Sequence, residues 1–314
     1  MFRSLESGAS RYHAPMTTIA FLIASNMLKD HPKVRSDHWE LDREWEPIHA
    51  ACAARGIALE QTIWDDPALD PDAFDAIVIG TTWDYPERPG EFVRTLERLS
   101  AARPLFNSLA TVKWNLSKAY LRDLAAPHRN VPTIPTLWRE RADAPTLASA
   151  FDELQTDQIV IKPQVGASAW RQARLHRGEA LPPSELLPPD RCLIQPFLPA
   201  ILDEGEYSFL FFGGTFSHCA RKMPAKGDYR IQAMYGGYEQ TYEPTDAEIT
   251  MARSTLDAID EPLLYARVDM VRSESGELAV MEVELIEPYY YPDQGPQMGE
   301  HFAAALEALL HQRV

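Results

Sequence analysis

The sequence predicts an α/β protein: a parallel sheet in the first third, then α+β architecture with antiparallel hairpins. Three observations carry this. From Ile19 to Asn107, apolar β-prone runs alternate with helical stretches, the pattern of parallel strands joined by crossover helices. After residue 200, β-prone runs stand only a turn apart, as around Gly213 and Gly214. The length of 314 residues is enough for two or three lobes, each with its own core.

The opening MFRSLESGASRYHAP (1–15) lacks the apolar core of a signal peptide and is expected to be a loose extension, with Met16 a candidate start in its own right. A strand (19–24), a helix (38–55) closed by Gly56, two strands (57–63 and 74–82), a helix (89–101) and a strand (103–107) follow. They define a first unit, 16–110. Ligands collect beyond the carboxyl ends of such strands, so TTWDY (81–85) is a candidate substrate wall, with Trp83 and Tyr85 either lining it or packing.

The second unit, 111–195, opens with a helix (111–126) carrying Lys118. The prolines of NVPTIPTLWR then impose an extended segment, and a helix (145–155) precedes the strand QIVIK. LPPSELLPPD (181–190) reads as a surface linker before LIQPFLP (193–199). The third unit, 196–314, begins with the Gly213-Gly214 hairpin and ends in a helix (296–312).

Composition narrows the function. Asp plus Glu number 46 against 30 Lys plus Arg, a net charge of −16 that opposes nucleic-acid backbones and anionic membranes. Cys52, Cys192 and Cys219 form no CxxC pair, so neither a disulfide framework nor a zinc cluster is indicated, and a reducing cytoplasm fits. No run approaches a membrane span.

The chemistry concentrates in RVDMVRSESGELAVMEVELIEP (267–288), two short strands around Ser273–Gly276. Glu282 and Glu284 project from one face by the period of two, and Asp269 on the partner strand adds a third carboxylate. Such a face is either simply wet or turned toward a cation. Oxygen ligands in this number suit magnesium, with manganese the alternative, and magnesium usually arrives with phosphates. Neither GxxxxGK[ST] nor GxGxxG occurs, so any phosphate cradle lies elsewhere. Lys162 ends QIVIK and is followed by the loop QVGASA with Ser168, where phosphate oxygens could be bound. Each lysine, taken alone, is equally a snorkelling surface residue. Arg221, Lys222, Lys226, Arg230 and Arg267 concentrate positive charge just ahead of the acids, and cations beside metal-binding carboxylates make a phosphoryl-transfer site. LIQPFLP, with Gln195, Phe197 and Leu198, is the candidate adenine pocket. Arg230 is either a fork for a substrate carboxylate or a surface salt-bridge partner.

These motifs, in this order, resemble the ATP-grasp superfamily, the fold of D-alanine–D-alanine ligase, glutathione synthetase and RimK-type ligases. The resemblance implies that Lys118 in NLSKAYL and Lys162 in IVIKP contact the α- and β-phosphates. It likewise implies that QVGASA is the glycine-bearing loop and LIQPFL the adenine-contacting hinge. Glu206 in EGEYS resembles the acid after that hinge. The family's magnesium ligands are Asp, then Glu thirteen later, then Asn two beyond; here 282 − 269 = 13 and 284 − 282 = 2. Arg267 matches a phosphate-contacting arginine, with Lys222 or Arg230 further candidates. Glu284 departs from the usual Asn, and ASAW is poorer in glycine than the usual loop. Across residues from about 19 onward, the sequence looks most like the branch containing the ligase that makes D-cycloserine. That implies ATP and Mg2+ (or Mn2+) as cofactors and a small amino-acid-like substrate, joined carboxylate to amine through an acyl phosphate. A homodimer is permitted. A small-molecule kinase and a non-catalytic nucleotide-binding protein are the rival readings.

Overall fold

The computed structural model describes residues 17–166, 169–231 and 235–312. Met16 and Ser168 lie outside the described residues. The first sheet contains β1 (Thr17–Ile23), β2 (Ile57–Ile63), β3 (Ala76–Ile79) and β4 (Leu105–Phe106) in the order β2-β1-β3-β4, all parallel. β1 is central and buried without interruption from Ile19 to Ile23, which explains a run of apolar residues with no polar alternation. The strand expected over 74–82 stops at Ile79, leaving Thr81–Tyr85 in turns beyond its carboxyl end. The strand expected over 103–107 is only two residues long.

α1 (Trp39–Ala54) and α2 (Pro89–Ala102) are the crossover helices. The helix expected over 111–126 is two: α3 (Leu109–Asn115), capped by the Ser108 hydroxyl accepting from Thr111 N–H at 3.2 Å, and α4 (Tyr120–Leu124). Lys118 therefore sits in the break between helices and not on one. The break lets its backbone N–H donate to the Gln164 carbonyl at 2.7 Å, tying it to the segment after Lys162.

A second, antiparallel sheet has the order β5-β8-β6-β7, from β5 (Leu137–Arg139), β6 (Gln158–Pro163), β7 (Ala173–His176) and β8 (Cys192–Pro196), backed by α5 (Ala144–Glu153). The third sheet, order β11-β10-β9-β12-β13, contains β9 (Glu206–Phe212), β10 (Thr215–Met223), β11 (Tyr238–Tyr242), β12 (Tyr265–Arg272) and β13 (Leu278–Glu284). α6 (Ala200–Asp203) precedes β9 and α7 (Asp246–Asp257) precedes β12. Gly213 (φ +56°) and Gly214 (φ +74°) make the β9–β10 turn, a left-handed pair that other residues adopt at a cost.

The last helix, α8 (Met298–His311), returns to pack on α1. Gly299 permits the approach: a Cβ there would stand 2.3 Å from the Pro47 carbonyl oxygen. One core consequently joins the first sheet to Phe302, Leu306 and Leu309 of the final helix.

Candidate active site

The acid-bearing strands meet in a register that sets Asp269 opposite Glu282 and Arg267 opposite Glu284. Three carboxylates side by side repel, so the sheet needs positive charge there. A bulge follows Asp269, whose next partner pair is Met270 with Val280. The extra residue is Met281. The strict alternation expected of Met281 and Glu282 thus breaks, and both line the same cavity.

β13 is an edge strand, yet side chains cover its free edge. Asn115 donates to the Val283 carbonyl (2.8 Å) and accepts from Leu285 N–H (3.0 Å), while Tyr120 Oη accepts from Val283 N–H (2.8 Å). Farther along, Val280 N–H donates to the Pro132 carbonyl at 2.7 Å. Asn107 ties the first sheet to the third, donating to the carbonyls of Tyr265 and Leu285 at 2.9 Å each and accepting from Leu264 N–H at 2.7 Å.

Asp269 is buried, and its carboxylate accepts from Arg267 Nε (3.0 Å) and Nη2 (2.9 Å), from Lys222 Nζ (3.3 Å) and from the Ser208 hydroxyl. Burial alone would raise its pKa, but Arg267 and Lys222 outweigh it and hold the carboxyl well below the usual range. Lys222 also pairs with Glu206, and Arg267 with Glu284. Burial pushes both glutamates up, to about 7, against the attraction of these cations. Charges so buried persist because each has a partner.

Lys118 pairs with Glu282. Burial opposes its charge, but Glu282 more than compensates and its pKa is raised. Lys162 differs. Burial and the neighbouring Lys118 lower its pKa, and among the described residues it makes no ion pair or hydrogen bond through its ammonium. Its ammonium is thus buried on the cavity wall without a countercharge among the described residues.

These groups line one cavity of about 550 Å³ where the three sheets converge. Lys118, Lys162, Gln195, Phe197, Leu198, Glu206, Lys222, Arg230, Arg267, Asp269, Glu282 and Glu284 border it, whereas Arg221, which donates to Gln240 at 2.8 Å, and Lys226 of the expected cation cluster do not. At one end Phe197, Leu198, Ile134, Val160, Ile231 and Met281 form an apolar slot, beside which Gln195 donates to the Thr136 hydroxyl at 3.0 Å. The opposite end has Trp83, Tyr85, Glu287 and Tyr289, so TTWDY does border the cavity. Arg230 is on the wall, but its fork is filled by Asp228 (Nη2 to Oδ2 2.7 Å).

Sequence reasoning missed the segment Arg35–Glu40, which also borders the cavity, and Asn107, Asn115, Tyr120 and Glu287. The first four of these give no local signal, because their partners are more than a hundred residues away or across the cavity. Glu287 lay within the quoted acidic hairpin and was passed over for its neighbours.

Among the described residues, no three acids, histidines or cysteines already surround a common point. Asp269 faces Arg267 and Lys222, Glu282 faces Lys118, and Glu284 faces Arg267. The donor set nonetheless fits a hard divalent cation. It is oxygen only, it carries three carboxylates on adjacent strands, and a metal arriving with polyphosphate could exchange partners with the lysines and arginine.

A parallel-sheet unit, two antiparallel sheets, and a cavity between them lined by lysines, an arginine and carboxylates in alternating ion pairs define an ATP-grasp ligase. Residues 19–107 match the family model described as D-cycloserine synthetase DcsG, N-terminal domain. The cycloserine biosynthesis protein DcsG of Streptomyces lavendulae is 32% identical over 268 residues, covering 79% of this chain and 87% of that protein. The crystal structure of D-cycloserine synthetase DcsG superposes with a TM-score of 0.79 at 27% identity, covering 93% of this chain and 99% of the other. The ATP-grasp ligase PsnB, solved with a phosphomimetic variant of its minimal precursor, Mg and ADP, has the same fold. Its TM-score is 0.64 at 14% identity, over 95% of this chain and 100% of that one. The chain belongs to the DcsG family, and it is an ATP-dependent carboxylate–amine ligase.

Proposed function

We propose that this ligase closes a ring within one small amino-acid derivative, its carboxylate and its nucleophilic nitrogen belonging to the same molecule. One observation carries this. The unit that matches the DcsG N-terminal model, residues 19–107, is also the one that contributes Trp83 and Tyr85 to the end of the cavity away from the apolar slot. Intermolecular, dipeptide-type joining is the rival.

In this reading the chain works as three units, 16–110, 111–195 and 196–314, the first shaping the substrate end and the others enclosing nucleotide. The apolar slot, with Gln195, Phe197 and Leu198, takes the base. Lys118 and Lys162 take the α- and β-phosphates, with Ser168 in the loop that covers them and Glu206 after the hinge. Asp269, Glu282 and Glu284 hold magnesium, which when bound neutralises charge on the phosphates; manganese is an alternative. Arg267 steadies the transferring phosphoryl group, Lys222 fixes Asp269, and Arg230 is a candidate for the substrate's carboxylate if it leaves Asp228.

The substrate carboxylate oxygen attacks the γ-phosphorus, the bond to the β-bridging oxygen breaks, and ADP leaves. The nitrogen then adds to the acyl phosphate carbon and expels inorganic phosphate, its proton passing to solvent or a nearby base. No covalent enzyme nucleophile is required. Among the described residues no helix is long and apolar enough to cross a membrane, and Cys52, Cys192 and Cys219 are free and buried, which supports a cytoplasmic enzyme.

The test is ADP and phosphate release with magnesium-ATP over amino acids and carboxylates, with and without separate amine acceptors and including O-ureido-D-serine. Phosphate release from a single molecule bearing both groups supports ring closure. A strict need for a second amine would establish the intermolecular rival, and ADP without free phosphate would indicate a kinase.

A further inference from the structure

We propose that Glu287 is the specificity residue that binds the α-ammonium group of the amino-acid substrate, within an aromatic box of Trp83, Tyr85 and Tyr289. The proposal rests on the preceding reading and names what that reading leaves open, namely which feature of the substrate the far end of the cavity selects.

The arginines at this end are already neutralised: Arg35 by Asp37 at 2.7 Å, and Arg267, which donates to the Tyr289 carbonyl at 3.3 Å, by Asp269 and Glu284. Glu287 has no cation partner among the described residues, although Lys118, Lys222 and Arg267 nearby all pair with other acids. Left without a cation, a buried carboxyl keeps its proton, and an arriving ammonium draws it into the ionised form by supplying the missing charge. Among the described residues its side-chain hydrogen-bond partner is the Tyr85 hydroxyl.

The surroundings select the kind of cation. Trp83 and Tyr289 meet edge to face with centroids 6.1 Å apart, and Tyr85 completes the wall. The Arg35 guanidinium already lies over one face of Trp83 at 5.7 Å and Phe92 stacks on Tyr85, and a compact ammonium beside the carboxylate would gain from the rings that remain as well as from the charge. Trp83 Nε1 donates to the Glu287 backbone carbonyl at 3.0 Å, so the box and the carboxylate are fixed to each other although they come from opposite ends of the chain. Burial and the nearby Glu284 push the Glu287 carboxyl well above its ordinary range, a strain that an arriving ammonium relieves.

The experiment compares binding to wild type and Glu287→Gln by calorimetry, with Mg-ADP as one ligand and O-ureido-D-serine or D-alanine as another, and repeats the amino-acid arm with the des-amino analogue. Expected is unchanged Mg-ADP affinity, an amino-acid affinity weakened on the order of 10–100-fold in the variant, the same weakening for the des-amino analogue on wild type, and no further loss when the two changes are combined. Additive losses, or undiminished amino-acid binding by the variant, would place the ammonium elsewhere and overturn the proposal. The analogue arm on wild type needs no variant, so a misfolded Glu287→Gln does not shield it: an analogue bound as tightly as its parent sinks it alone. If Mg-ADP binds but neither amino acid does, the amino-acid reading itself fails, and this proposal with it.

Discussion

Asn115 and Leu285 are joined where a neighbouring strand would otherwise be: the Asn115 side-chain oxygen accepts from Leu285 N–H at 3.0 Å, and its amide donates to the Val283 carbonyl at 2.8 Å. One side chain thus fixes the two residues flanking Glu284. Asn115→Ala leaves a buried donor and acceptor of β13 unmet and is expected to cost about 2–4 kcal/mol in urea unfolding. Asn115→Asp keeps the acceptor but sets a charged oxygen against the Val283 carbonyl beside Glu282 and Glu284, so it should be at least as destabilised as the alanine variant. Equal stability of all three would mean that water replaces the amide at no cost.

Glu282 and Lys162 face the same cavity but are expected to fail differently. Glu282→Gln removes a charge that the metal needs, and phosphate release should drop about 100-fold or more with the fold intact. Lys162→Met removes an ammonium with no ion-pair partner among the described residues, so its loss should appear mainly as weaker ATP affinity, with little change in stability. The measurements are initial rates across ATP concentration and circular dichroism. Full turnover by Glu282→Gln would remove the metal assignment.

Acid sensitivity should centre on His218. Its Nε2 bonds the Tyr290 carbonyl at 2.8 Å, and a carbonyl can only accept, so Nε2 bears the proton and Nδ1 accepts from Ser217 at 2.9 Å. His301 reaches the same Ser217 hydroxyl at 2.7 Å. Burial lowers the His218 pKa from 6.5 to about 4. A depressed folded value means stability is fully present above pH 6.5 and is lost as pH falls from 6.5 toward 4, by about 3 kcal/mol in all. Comparing wild type with His218→Asn between pH 7 and pH 4 isolates this residue: the stability difference should shrink toward low pH. A difference independent of pH would show that His218 protonates without penalty.

Much of the site was legible because its chemistry is local. Asp269, Glu282 and Glu284 share one hairpin, and their spacing survives the bulge because Met281 is inserted between aligned pairs and not beyond them. Lys162 stands near the end of β6, directly after the apolar run that announces it. What the sequence concealed is cross-chain. Nothing near Asn107, Asn115 or Tyr120 signals that they will bond strands about 160 to 180 residues later. The break at Lys118 was equally hidden: TVKWNLSKAYLRDLAA has no Gly or Pro, and the helix stops because a partner, Gln164, competes for the backbone. Arg35–Glu40 faces the cavity from a loop whose destination only the packed sheets determine.

The packing of α8 on α1 has a consequence for how the molecule is made. The core around the first sheet includes Phe302, Leu306 and Leu309, which leave the ribosome nearly three hundred residues after β1. Until those residues emerge, the face of α1 that receives them stays uncovered, whatever order the other two sheets adopt. The sheet that is made first is therefore sealed late, and a nascent chain halted before Phe302 presents that bare face to chaperones and proteases.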